Sequence, residues 1–114
     1  MTFKHIADNE PINIAFLGCG FATKNHSKTL KKFKNVRRFY ASRSVEKAQE
    51  YQQKFKGAGH FGSYEAAINS PEINTIFVAT PPDSHLELTL QAMRAGKHVI
   101  VEKPPFFKST DFDI

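Results

Sequence analysis

Apolar residues in this chain gather in two kinds of run. Some runs are short and nearly unbroken: "INIAFLG" from Ile12, "VRRFYAS" from Val36, "INTIFVAT" from Ile73 to Thr80, and "KHVIV" ending at Val101. Runs of this length, bounded by turn residues, predict strands, and their lack of polar alternation predicts a sheet covered on both faces. Between them apolar residues recur at helical spacing. From Gly18 to Phe33 the positions Ala22, His26, Leu30 and Phe33 share one face. A second helix has Ala48, Tyr51 and Phe55 on its apolar face, Ser44 as its cap and Gly57 as its stop. "HFGS" is at most a very short strand, and Ser63 opens a brief helix through Ile68 that ends at Ser70-Pro71. Ser84-His85-Leu86-Glu87 reads as a capping box. It opens a helix with Leu86, Leu90 and Met93 on one face, ended by Gly96. "KSTDFDI" resembles one more helix start, capped by Ser109 or Thr110.

Strands and helices therefore alternate from Ile12 onward. Alternation implies parallel strands joined by right-handed crossovers. The expected fold is α/β, a Rossmann-type doubly wound parallel sheet of order 3-2-1-4-5, with a flavodoxin-like order as the competitor. Residues 1–11 read as a polar lead-in and 12–114 as one domain.

Composition narrows the class. The chain has 114 residues, 40% hydrophobic and 24% charged, which suits one globular domain. Its longest apolar runs fall well short of the ~18–20 residues that span a bilayer, so no membrane partner is expected. The first residues lack the apolar core of a secretory signal. A single cysteine, Cys19, excludes an internal disulfide framework and suggests a reducing, cytoplasmic compartment. The net charge is +5, and the densest basic stretch is "KKFKNVRR", Lys31 to Arg38. It falls where a helix ends, so the reading preferred here is solvated lysines at the negative end of a helix dipole, with no nucleic-acid partner.

"FLGCGFAT" carries the first chemical signal and decides between the two topologies. Gly18-Cys19-Gly20 follows an apolar strand and opens a helix, the setting of a dinucleotide fingerprint. Gly18 permits a tight turn. Gly20 lets a diphosphate approach backbone N–H groups at the helix start, where Phe21 and Ala22 stand. Thr23 fills the third small position and is larger than the usual Gly or Ala, so helix and strand are expected to sit slightly farther apart. Cys19 reads as a backbone position with an incidental thiol. At the end of the second strand, where an acid commonly bonds the ribose of NAD, the chain has Ser42 and Arg43. A hydroxyl and a guanidinium accept a 2′-phosphate that a carboxylate would repel, which favours NADP as cofactor over NAD. His26 and His98 read as packing or boundary residues, and His5 and His60 have no evident partner. His85 fits a capping turn as well as a cofactor contact. No cluster has metal-ligand spacing, so no metal is expected. "VIVEKPPF" ends the last strand with Glu102, Lys103 and two prolines; alone, this is equally a catalytic device or strand-terminating punctuation.

Three stretches taken together, "FLGCGFATKNH", "ASRSVEKAQ" and "VATPPDSHLELTLQAMRAGKHVIVEKP", resemble the Gfo/Idh/MocA oxidoreductases over about residues 12 to 105. The resemblance implies an N-terminal NAD(P)-binding Rossmann domain, a small-molecule substrate such as a sugar or polyol, and hydride transfer to or from a hydroxyl-bearing carbon. It implies that Gly18 and Gly20 hold phosphate, that Ser42 and Arg43 discriminate the ribose, and that Thr80, Pro81 and His85 form a turn along the cofactor. Glu102 and Lys103 match the family's "EKP", whose lysine assists proton transfer. Lysine delivered to the crevice by a buried strand is partly desolvated, and its pKa falls toward the range useful for acid–base work.

The same resemblance implies a chain truncated before a sixth strand and a C-terminal substrate domain, as a fragment or a naturally short module. A non-catalytic dinucleotide-binding or sensing role is the alternative to an enzyme. A homo-oligomer is expected, because an unpaired last strand is an edge open to a second copy. Light scattering at high concentration checks this: self-association is the expected result, and a clean monomer contradicts it.

Overall fold

The computed structural model describes residues 11–80 and 84–101. Their element order is β1 (Ile12–Leu17), α1 (Phe21–Leu30), β2 (Val36–Ala41), α2 (Val45–Phe55), β3 (Gly59–Phe61), α3 (Tyr64–Ile68), β4 (Thr75–Val78), α4 (His85–Arg94) and β5 (His98–Val101). The strands form one sheet with all pairs parallel, as the alternation predicts, in the order β3-β2-β1-β4-β5 that the glycine turn favoured over a flavodoxin-like one. β1 lies at the centre, with Leu17 level with Ala41 on one side and Val78 on the other.

Both faces of the sheet are covered, which is why its strands read as unbroken apolar runs. Ala15, Leu17, Phe39, Ala41, Ile76 and Val78 face α3 and α4, meeting Ala67, Ile68, Leu88 and Ala92. Ile14, Phe16, Tyr40 and Phe77 face the other way, toward Leu30 of α1 and Tyr51 and Phe55 of α2. Phe16 stacks on Tyr40 with ring centroids 5.6 Å apart and meets Phe77 at 5.2 Å. His26 lies 4.8 Å from the Phe77 ring, a packing role for that histidine. β4 spans Thr75–Val78, shorter than the apolar run Ile73–Thr80.

The helices differ from the sequence expectation in their buried faces and in their caps. α1 stops at Leu30, and Phe33 is 52% exposed rather than packed on the helix's inner face. Among the described side chains of α1 the buried ones are Thr23 and Ser27, polar residues whose hydroxyls are satisfied inside: Thr23 Oγ1 donates to the Gly18 carbonyl at 2.5 Å and Ser27 Oγ accepts from Tyr40 Oη at 2.9 Å. Hydropathy patterning misses such a face because it scores these residues as polar. In α4 the stripe Leu86, Leu90 and Met93 points outward (72%, 39% and 60% exposed), while Leu88 and Ala92 face the sheet. Two apolar stripes compete on that helix, and only packing selects between them. The capping box does not form: Ser84 sits at φ −95°, ψ −10° with no side-chain cap bond. Glu87 instead accepts from Gln91 Nε2 at 3.3 Å. The caps at Ser44 and Ser63 do form, accepting from the Lys47 and Ala66 N–H groups.

α2 ends differently from expectation. Lys56, not Gly57, takes the left-handed conformation at φ 55°. The Gly57 N–H closes the motif on the Gln52 carbonyl at 2.8 Å. Glycine is needed at 57 for space: a Cβ there would lie 2.5 Å from Tyr40 Cε2 and 2.9 Å from the Arg38 carbonyl. The same junction holds the buried Arg38, whose Nη1 donates to the Phe55 carbonyl (2.7 Å) and to Tyr40 Oη (3.1 Å). The carbonyls and dipole at the end of α2 take the place of a carboxylate partner. His60, for which the sequence suggested no partner, meets Gln52 Oε1 through Nδ1.

Gly57→Ala is therefore expected to cost about 1–3 kcal/mol by overpacking. At Gly62 the nearest atom to an added Cβ is 3.4 Å away, so Gly62→Ala should be nearly neutral. Urea unfolding midpoints of the two variants check the contrast.

Candidate cofactor-binding site

The strand order changes direction at β1, which pairs with β2 on one side and β4 on the other. Ligands in open α/β sheets bind beyond the carboxyl ends of the strands at such a point. Here the chain turns through Gly18, Cys19 and Gly20 into α1.

Backbone bonds tie this turn to both neighbours. The Gly18 N–H donates to the Ala41 carbonyl and the Ala79 N–H to the Leu17 carbonyl, each at 3.0 Å. Gly18 has φ +107°, and a Cβ on it would lie 3.1 Å from the Ala79 carbonyl oxygen and 3.3 Å from Thr80 Cγ2. Both the dihedral and the space call for glycine. Gly20 differs. It is the N-cap of α1 at φ −132°, exposed, and a Cβ there would meet nothing within 4 Å. A side chain at 20 would enter the open space over the helix start. No side chain caps α1 and no acid lies in its first turn. Its leading N–H groups, including those of Phe21 and Ala22, therefore face that space without an intrahelical acceptor, and the helix's own first turn adds no carboxylate.

Thr80 supplies a second feature at the same rim. It is 7% exposed, and its Oγ1 is buried with no hydrogen-bond partner. His85 Nε2 bonds the Thr80 carbonyl, which links the end of β4 to α4. This is a turn-holding role for His85. Pro81, Glu102 and Lys103 lie outside the described residues.

Ser42 and Arg43 stand at the carboxyl end of β2, where the sequence reading placed them. The Ser42 N–H donates to the Phe61 carbonyl (3.2 Å), and its Oγ accepts from the Ser44 N–H (3.2 Å). The exposed Arg43 guanidinium lies over the Tyr64 ring, 5.8 Å from its centroid. Lys47, in the first turns of α2, has Nζ 5.5 Å from the Tyr51 ring centroid. Sequence reasoning overlooked Tyr64 and Lys47. A signal existed for the lysine: a cation near a helix N-terminus opposes the dipole and is disfavoured there without another role.

Electrostatics connect these groups to the glycine turn. Burial pushes the Cys19 thiol up to about 11, while the Lys47 ammonium pulls it down and Glu50 pushes it up. Burial also raises the Tyr64 hydroxyl, with Arg43 opposing. Lys47 and Arg43 thus bring positive charge to the side of the turn where Cys19 and Tyr64 lie.

A parallel sheet with a glycine-opened turn at its switch point, leading into an uncapped helix, defines a dinucleotide-binding Rossmann domain. The chain belongs to the Gfo/Idh/MocA family, described as an oxidoreductase family with an NAD-binding Rossmann fold, whose model matches residues 12–113. Levoglucosan dehydrogenase of Pseudarthrobacter phenanthrenivorans is 30% identical over 102 residues, covering 82% of this chain and 26% of that protein. The NADP(+) D-xylose 1-dehydrogenase of Hypocrea jecorina is 36% identical over 66 residues, covering 55% of this chain and 17% of that protein. Among solved structures, levoglucosan dehydrogenase in complex with NADH superposes with a TM-score of 0.75 at 29% identity, over 83% of this chain and 28% of that one. The 3-ketoreductase KijD10 of Actinomadura kijaniata, in complex with NADP and TDP-benzene, superposes at 0.77 with 28% identity, over 83% and 30%. The chain thus spans about a quarter of the length of the curated relatives it matches.

The raised thiol gives a direct check of the turn. Iodoacetamide should alkylate Cys19 slowly near neutral pH, with a rate climbing about tenfold per pH unit as the thiolate forms and levelling near the pKa of about 11. A rate already maximal near neutrality would contradict the buried environment.

Proposed function

We propose that this chain is the cofactor-binding part of an NAD(P)-dependent oxidoreductase that moves hydride to or from a hydroxyl-bearing carbon of a sugar, polyol or related compound, with NADP as the preferred cofactor. The observation that carries the reading is the Gly18–Gly20 turn, strained and crowded beneath, open above, and aimed into α1. Family membership supports the cofactor class. The names of relatives, which state D-xylose and levoglucosan, support the substrate class.

A nicotinamide cofactor supplies the hydride chemistry when bound. The chain's own residues bind and orient it. The α1 N–H groups at Phe21 and Ala22 receive the diphosphate, and the unpaired Thr80 hydroxyl offers a further hydrogen bond at the same rim. Ser42, Arg43 and Lys47 receive a 2′-phosphate through charge-assisted hydrogen bonds. The Tyr64 ring steadies the guanidinium by a cation–π contact. Relatives bound to NADH and to NADP are both known, so the preference rests on these side chains and not on the family. Lys103, outside the described residues, is assigned the proton of the substrate hydroxyl on the strength of the family's "EKP" alone.

Calorimetric titration with NADPH and NADH tests this. NADPH is expected to bind more tightly, and Arg43→Asp to remove about tenfold to a hundredfold of that advantage, the worth of a hydrogen bond to a charged group. Lys103→Ala should leave cofactor affinity nearly intact. Equal affinities would overturn the NADP preference; binding of neither would overturn the cofactor role itself.

A further inference from the structure

Parallel crossovers send the carboxyl ends of α1 and α2 to the amino edge of the sheet, opposite the glycine turn. Lys28 lies in the last turn of α1, with Lys31, Lys32 and Lys34 following it, and Lys54 lies in the last turn of α2, with Lys56 following it; all are exposed. Between Pro11 and Glu46 the chain contains no acid. The ion pair described in this region is Arg37 with Glu72, at 3.6 Å.

Part of this charge has a plain origin. Lys28 and Lys54 lie in last helical turns and complement the dipoles. Lys32 and Lys34 lie beyond α1, where the dipole fades. Phe33 sits between them at 52% exposure. Its backbone is ordered: the N–H donates to the Leu30 carbonyl (3.0 Å), and the carbonyl accepts from the Val36 N–H (3.2 Å). A tied turn thus holds an aromatic ring in water amid lysines, which helix-end electrostatics does not explain.

We propose that the turn Lys31–Lys34 docks this domain on an anionic lipid surface, with Phe33 entering the boundary between headgroups and acyl chains and the neighbouring lysines meeting the headgroups. A ring beside several lysines on an outward turn fits the chemistry of that interface. Single-stranded nucleic acid fits less well, because it is held in a groove by successive stacking rings; among the described residues Phe33 is the one aromatic that this turn exposes. The attachment is peripheral: among the described residues no helix is long and apolar enough to cross a membrane. α1, ten residues or about 15 Å long, separates the turn from Gly20, so the cofactor crevice stays clear of the bound surface.

Co-sedimentation of the 114-residue chain with vesicles tests the proposal, using phosphatidylcholine alone and phosphatidylcholine mixed with phosphatidylserine. Retention on the mixed vesicles, falling with added salt, is expected. Each of Lys31→Glu, Lys32→Glu and Lys34→Glu should weaken it by about fivefold or more. Phe33→Ser should weaken it at unchanged charge, whereas Arg43→Asp, at the opposite end, should weaken it far less than any of these. Circular dichroism confirms that each variant is folded. Equal retention on both vesicle types, retention on neither, indifference to the lysine and Phe33 variants, or capture by a single-stranded oligonucleotide without vesicle retention would each overturn the proposal.

Discussion

Close passage of the chain past the end of β4 governs this structure. After Leu17 the backbone runs between Ala41 of β2 and Ala79 beyond β4, hydrogen-bonded to both. It turns there at a positive φ that an L side chain resists, where a Cβ would crowd the Ala79 carbonyl oxygen at 3.1 Å. Because the turn is held from both sides, α1 must begin where the two halves of the sheet diverge. The uncapped first turn of that helix then points into the crevice without any further device. Thr23 reinforces the arrangement by returning its hydroxyl to the Gly18 carbonyl.

Polar groups inside the domain are arranged in the same economical way. Arg38, Tyr40 and Ser27 form a hydrogen-bonded chain that links the end of α2, through β2, to the buried side of α1. Tyr40 Oη accepts from Arg38 Nη1 and donates to Ser27 Oγ, which matters because an unsatisfied buried polar group costs about 1–3 kcal/mol; Arg38 Nε and Asn13 Oδ1 remain buried without a partner. Thr80 Oγ1 is likewise buried without a partner, at the crevice rim. A ligand oxygen arriving there would recover that cost, which joins the stability of the fold to the proposed binding role.

The domain is chemically divided along its strands. At the carboxyl edge are glycines, a free helix start, Arg43 and Lys47 beside aromatic rings, and a thiol that burial keeps protonated. At the amino edge are helix ends, lysines and an exposed phenylalanine. Parallel crossovers impose this separation, since every helix begins at one edge and finishes at the other. Positive charge reaches both edges but serves different geometries: a concave crevice at one, an outward turn at the other.

Much of this was legible in the amino-acid order alone. Unbroken apolar runs announced buried parallel strands, the alternation with helices narrowed the sheet to two orders, and G-x-G after a strand located the turn and favoured 3-2-1-4-5, because these follow from local spacing and from the few topologies parallel strands allow. Ser42 and Arg43 were singled out by their place at the end of the second strand. What the sequence left open depends on neighbours remote in the chain. Which stripe of α4 is buried, why Gly57 is glycine, where Phe33 points and whether Ser84 caps its helix are each decided by packing. Tyr64 comes under the Arg43 guanidinium only in the folded chain, a juxtaposition that tertiary folding creates and no local pattern encodes.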